Sequence, residues 1–213
     1  MKTALIAGAT GLIGKELVQK MIKSDKYGWI YLIVRKPCGI VNDKIHEIIV
    51  DFEQVEQITL EYPVDEAFCT LGTTMKQAGS REKFSKVDLE YVLSFARFAK
   101  TSGAGKFLVI SSMGANPKSS VFYNRIKGLA EEGLKNLGFK HLVILRPSLL
   151  LGKRPEPRLG ERMGVIFMKA FNFLIPDNYK AIDSSHVAEK MLEMAGNSNK
   201  GVSIVESGEM IAK

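Results

Sequence analysis

The sequence predicts a doubly wound α/β domain, a mostly parallel sheet with helices on both faces. Three observations carry that expectation. Short, nearly continuous apolar runs alternate with amphipathic stretches along the chain, as in sheets buried on both sides. A glycine-rich turn joins the first run to the first amphipathic stretch. The chain has 213 residues, 46% of them hydrophobic, 8% aromatic and 25% charged. That is an ordinary globular composition, and a chain this long buries about 70% of its unfolded surface, so one domain over residues 1–213 is expected.

The elements follow in order. Thr3–Ala9 (TALIAGA) reads as a buried strand, and Gly11–Lys23 as a helix, because Ile13, Leu17 and Met21 recur one turn apart. Tyr27–Val34 (YGWIYLIV) is a second apolar run, and Ile45–Val50 and Ala67–Leu71 are two more short strands. The helical period returns over Lys83–Lys100 through Val92, Phe95, Ala96 and Ala99. Thr101–Gly105 is a small-residue turn before the strand Lys106–Ile110. A helix over Phe122–Leu137 is stopped by Gly138, and the strand His141–Leu145 follows. Gly152–Gly164 (GKRPEPRLGERMG) reads as a long loop, and residues 152–180 as a substrate-side loop and helix region. A helix around Ser184–Ala195 and a last strand, Val202–Glu206, complete the pattern.

Thirty Lys and Arg against twenty-three Asp and Glu give a net charge of +7, which suits anionic partners such as nucleotide phosphates. The basic residues show no aromatic interleaving, so nucleic-acid binding is not expected. Cys38 and Cys69 lack the spacing of a disulfide framework or a zinc site, and a reducing cytosol is the natural compartment. His46, His141 and His186 are isolated and read as structural, so no metal site is expected. The opening MKTALIAGATGLIG has features of a signal peptide, but its glycines and its continuation into a helical pattern argue against secretion. No stretch reaches the roughly 18 consecutive apolar residues of a membrane span.

Gly8-Ala9-Thr10-Gly11-Leu12-Ile13-Gly14 stands where the first strand turns into the first helix. Glycine spacing alone is a weak signal, but a buried strand before it and an amphipathic helix after it are the context of a dinucleotide-binding turn. There the backbone can approach a pyrophosphate, and the helix N-terminus offers free N–H groups. In NAD-preferring versions a carboxylate ends the second strand and holds the ribose 2′-hydroxyl. This chain has Arg35 and Lys36 there, and a guanidinium pairs with a 2′-phosphate that a carboxylate would repel. NADP(H) is therefore expected over NAD(H), with Arg35 the main contact and Lys36 secondary; a solvated basic turn is the plainer alternative.

Ser111 and Ser112 follow the strand Lys106–Ile110, and Tyr123 and Lys127 open the next helix one turn apart. An ammonium beside a phenol favours phenolate and suits the phenol to acid–base work. A serine at the carboxyl end of a neighbouring strand lies where ligands of such sheets bind. Together the three could hold a carbonyl oxygen and protonate it as hydride arrives. The Gly152–Gly164 loop, with Arg154, Arg158 and Arg162, is either a lid over that pocket or a solvated basic loop. Phe167, Phe171, Phe173 and Leu174 form an apolar segment, core or the rim of a pocket.

GATGLIG, CTLGTT, VISSMGAN, Tyr123-x-x-x-Lys127 and LRPSLLLG resemble the short-chain dehydrogenase/reductase superfamily, in particular its atypical members. The chain is similar over nearly its whole length to the small NAD(P)-binding oxidoreductase-like proteins of the Tat-interacting protein group. The resemblance implies a seven-strand Rossmann sheet, NADP(H) binding and reductase chemistry. It implies that Gly8, Thr10, Gly11, Leu12, Ile13 and Gly14 wrap the pyrophosphate and that Arg35 takes the 2′-phosphate. Asp51 would flank the adenine, Leu71, Gly72 and Thr73 would line the ribose and nicotinamide side, and Pro147 and Ser148 would border the nicotinamide. Ser112, Tyr123 and Lys127 would be catalytic. The ten residues between Ser112 and Tyr123 are a tighter spacing than usual, so Ser111 is the alternative for the residue facing the site. CTLGTT replaces the asparagine-rich turn of common members, and the large C-terminal substrate domain of sugar-nucleotide epimerases is lacking.

Two functions follow as expectations. One is a cytosolic NADP(H)-dependent oxidoreductase acting on a small carbonyl or activated alkene. The other is a non-catalytic NADP(H)-binding regulator acting through a protein partner.

Overall fold

The computed structural model describes residues 1–151 and 179–211. The expected lid Gly152–Gly164 and the apolar segment around Phe167–Leu174 lie outside the described residues. So does most of the region 152–180.

Seven strands form one parallel sheet: β1 (Lys2–Ala7), β2 (Tyr27–Val34), β3 (Ile45–Ile49), β4 (Glu66–Cys69), β5 (Lys106–Ile110), β6 (His141–Arg146) and β9 (Gly201–Glu206). Their spatial order is β3-β2-β1-β4-β5-β6-β9. From β1 the chain builds outward to β3, then crosses back to β4 and builds the other way. The carboxyl ends of β1 and β4 therefore flank a topological switch point, where ligands of such sheets bind. A second, two-stranded sheet pairs β7 (Leu150–Leu151) with β8 (Ile182–Asp183). The doubly wound parallel sheet expected from the sequence is the fold observed.

The strands read as continuous apolar runs because both faces are covered. Ala4 and Ile6 of β1 join the core beneath α1 (Leu12–Ile22) and α6 (Ser184–Gly196), with Leu17, Met21, Val187 and Met191. Leu5 and Ala7 join the opposite core, with Val92, Phe95 and Ala99 of α4 (Tyr91–Thr101) and Leu134 of α5 (Phe122–Asn136). The helix expected over Lys83–Lys100 is three segments: α3 (Arg81–Ser85), a π-helical turn (Lys86–Glu90) and α4. Short α2 (Met75–Ala78) and the 3-10 turns Phe52–Gln57 and Ser207–Met210 have too little periodicity to be read from sequence. Among the described residues no helix is long and apolar enough to cross a membrane.

Candidate active site

At the switch point β1 is followed by Gly8, at φ +89°, the left-handed region that favours glycine. A Cβ on Gly8 would meet the Thr70 backbone and hydroxyl at 2.6 Å, and one on Gly14 would stand 2.1 Å from the Gly8 carbonyl oxygen. The two glycines let the first turn of α1 press against the ends of β1 and β4. The turn is held by Gly11 N–H donating to the Gly8 carbonyl at 3.0 Å. Gly11 is the N-cap of α1 and brings no side-chain cap, and the first turn contains no acidic residue. The amides that open this helix are thus left to an anion, as a pyrophosphate requires. Thr10 and Gly11 are exposed, Leu12 half-buried, and Ile13 and Gly14 buried.

Arg35 and Lys36 follow β2 at its carboxyl end, both exposed, and neither has an ion-pair partner among the described residues. Asp51 caps the 3-10 turn, accepting from Glu53 N–H at 3.1 Å. The charges of Arg35, Asp51, Glu53 and Lys86 all act on the Tyr91 phenol, so these groups surround one corner beyond β2 and β3. Burial is the main cause that raises this phenol above its ordinary value, and the Lys86 and Arg35 charges oppose it.

The other wall is built by β4, β5, α5 and β6. Ser111 and Ser112, 7% and 8% exposed, follow β5. The Ser111 hydroxyl donates to Glu131 Oε1 at 2.5 Å, whereas the buried Ser112 hydroxyl has no hydrogen-bond partner among the described residues. Glu131, 3% exposed, also accepts two hydrogen bonds from the Arg146 guanidinium, at 3.0 and 2.7 Å. Arg146 reaches Glu206 at 3.1 Å, so one network ties the carboxyl ends of β5, β6 and β9 to the body of α5. Pro147 is buried, and its carbonyl accepts from Met113 N–H at 3.1 Å. Ser148 receives the Ser207 hydroxyl at 2.9 Å and donates to the Lys180 carbonyl.

Tyr123 and Lys127 project from the first turns of α5, and the half-buried Tyr123 ring lies 5.5 Å from Phe84. The segment after Ser112 presses on this helix: a Cβ on Gly128 would stand 2.2 Å from the Asn116 backbone. Lys127 is 5% exposed, and its ammonium lies 2.8 Å from Asp88 Oδ1. The other Asp88 oxygen accepts Thr73 N–H at 2.8 Å, which fixes the segment Leu71–Thr73 after β4. Burial by itself would favour neutral Lys127. The Asp88 charge, with smaller effects of Tyr123 and Cys69, outweighs it and holds the ammonium above its ordinary 10.5. Burial pushes the Cys69 thiol up to about 12, which leaves it inert as a nucleophile.

Asp88, Glu131 and Arg146 were not singled out from sequence. Asp88 lies on the helical stripe of Val92, Phe95 and Ala99, and Glu131 one turn beyond Lys127, so an acid on an apolar stripe was the available signal. Of the expected histidines, His46 stacks on Trp29 with ring centroids 3.4 Å apart and His141 Nδ1 lies 2.5 Å from the Asn199 carbonyl, both structural contacts.

The chain has relatives among known proteins. Residues 4–210 match the model of the NAD dependent epimerase/dehydratase family. Protein HTATIP2 of Rattus norvegicus is 33% identical over 182 residues, covering 84% of this chain and 73% of its own length. Protein FMP52, mitochondrial, of Candida glabrata is 36% identical over 162 residues, covering 75% of this chain and 68% of its own. A UDP-glucose 4-epimerase of Thermotoga maritima, solved with UDP-glucose, superposes with a TM-score of 0.71 at 18% identity, over 97% of this chain and 77% of that one. That likeness shows the fold, while the family match and the two relatives show membership. The chain belongs to the NAD-dependent epimerase/dehydratase family of the NAD(P)-binding Rossmann superfamily, among the relatives of HTATIP2 and FMP52.

Proposed function

We propose that the protein is an NADP(H)-dependent oxidoreductase of the short-chain type, acting on a small carbonyl or activated alkene. The observation that carries this reading is the buried, unpartnered Ser112 hydroxyl, which follows β5 while its neighbour Ser111 is occupied by Glu131. A buried polar atom without a partner is costly, and a substrate oxygen would satisfy it. The cradle between Gly8, Gly14 and the uncapped start of α1 fits a pyrophosphate. Leu71, Gly72 and Thr73 would line its ribose side, Pro147 and Ser148 the nicotinamide, and Asp51 the adenine. Arg35 and, secondarily, Lys36 would take the 2′-phosphate.

A bound nicotinamide would supply the hydride. Tyr123 gives its phenolic proton to the substrate oxygen, Ser112 fixes that oxygen by donating a hydrogen bond, and Lys127 offers its ammonium to the ribose and the phenol. The unpaired Cys38 and Cys69 suit a reducing compartment, and we assign the protein to the cytosol. The test is Tyr123→Phe assayed on aldehydes, ketones, quinones and enones. Turnover should fall by about 10²–10⁴-fold with cofactor affinity kept. A wild-type protein that binds NADPH but turns over none of the panel would instead favour a regulator acting through a protein partner.

A further inference from the structure

We propose that Asp88 is a positioning residue of the candidate site, which holds Lys127 in place as an ammonium and ties the segment after β4 to the same carboxylate. Its use in turnover rests on the reading above; the ion pair itself does not. Both partners are enclosed, with side chains 7% exposed for Lys127 and 0% for Asp88. On stability grounds alone such a pair is a poor choice, because well-packed apolar residues of equal volume are often as stable or more so. The helix also gives up regular α geometry at this point, since Asp88 sits at the centre of the π-helical turn Lys86–Glu90. Such turns are rare and are frequent at functional sites.

The carboxylate divides its oxygens between two walls. Oδ1 faces Lys127 of α5 at 2.8 Å, and Oδ2 receives the Thr73 amide at 2.8 Å. A Cβ on Gly72 would come within 3.5 Å of Asp88 Oδ1 and 3.8 Å of Lys127 Nζ, so the backbone after β4 lies directly against the pair. The groups acting on Lys127 are Asp88 from the π-turn, Tyr123 from α5 and Cys69 from β4. Among these Asp88 is the carboxylate and Cys69 a thiol that burial keeps neutral. Without Asp88 the enclosure of Lys127 would govern its protonation and favour the neutral amine. Asp88 thereby sets the charge that a ribose hydroxyl and the Tyr123 phenol meet across the working pH range.

The experiment follows the Lys127 side-chain resonance of isotopically labelled, full-length protein against pH, assigned with Lys127→Met. In the wild type the ammonium should persist past the other lysines. In Asp88→Asn, which keeps the size and an acceptor for Thr73, the proton affinity of Lys127 should fall by about a hundredfold or more. Equal midpoints in the two proteins would overturn the proposal. So would a wild-type Lys127 that titrates below the other lysines, a result that needs no variant. NADPH titrations of the same two proteins give the functional readout. Affinity should be flat from about pH 7.5 to 9 in the wild type, above the second ionisation of the 2′-phosphate, and weaken on the alkaline side in Asp88→Asn, a dependence that mere loss of packing would not create. If wild-type protein binds no nucleotide, the oxidoreductase reading fails by itself, and the Lys127 titration still decides the role of Asp88.

Discussion

Replacing Gly14 with Ala isolates the close approach on which the nucleotide cradle depends. In an ordinary helix interior this change gains about 1 kcal/mol from propensity. Here the added Cβ would sit 2.1 Å from the Gly8 carbonyl oxygen and 2.8 Å from both the Gly8 carbonyl carbon and Thr70 Oγ1. Two of those atoms are backbone and cannot rotate away, so α1 must lift from β1. Overpacking of this kind costs typically 1–3 kcal/mol, and with backbone obstacles the upper end applies. The net loss is then about 2 kcal/mol, or a fall in Tm of roughly 4–8 °C for a chain of this size. Differential scanning calorimetry reads it directly. Gly196→Ala is the control, because a Cβ at that end of α6 meets nothing within 4 Å. It should be neutral or raise stability by up to about 1 kcal/mol. Nucleotide affinity should drop in the Gly14 variant and hold in the control. A Gly14→Ala protein that melts at or above wild type would refute the packing argument.

Other outcomes follow from the same geometry. Arg35→Asp should weaken NADPH binding by about 1.5–3 kcal/mol, roughly 10- to 150-fold, with a much smaller effect on NADH, measured by fluorescence titration. Glu131→Ala strips the Arg146 guanidinium and the Ser111 hydroxyl of their shared acceptor, while Glu206 still reaches Arg146. It should cost about 3 kcal/mol in a denaturant titration, at the low end of a broken buried pair. Because the folded protein holds Lys127 above its ordinary 10.5, the pair's contribution is intact below that pH and lost as pH rises through the folded-state value. Denaturant titrations at rising alkaline pH should show this loss in wild type and not in Lys127→Met.

Periodicity made most of the fold legible. The expected helix Phe122–Leu137 is observed as Phe122–Asn136, and the expected strand Lys106–Ile110 has those same bounds. Strands buried on both faces are the clearest signal a parallel sheet leaves, as in Tyr27–Val34. The π-turn at Lys86–Glu90 was hidden because a π-turn preserves the helical look of its neighbours. Within the site, the glycine turn and the Tyr123–Lys127 spacing are local and could be read. The partners of Lys127 and Ser111 could not, because Asp88–Lys127 and Ser111–Glu131 are brought together only by the crossovers of the sheet. Ser111 is bonded to Glu131, and Ser112 carries the unpartnered hydroxyl.

Cofactor choice is read by titrating the protein with NADPH and with NADH, following reduced-nicotinamide fluorescence sensitised by Trp29. Trp29 is the chain's one tryptophan and lies on β2, the strand that leads to Arg35. NADPH should bind at least about tenfold more tightly than NADH, as one charge-assisted hydrogen bond requires, and the difference should collapse in Arg35→Asp. Saturable binding of neither nucleotide, or a preference for NADH, would contradict the NADP(H) assignment.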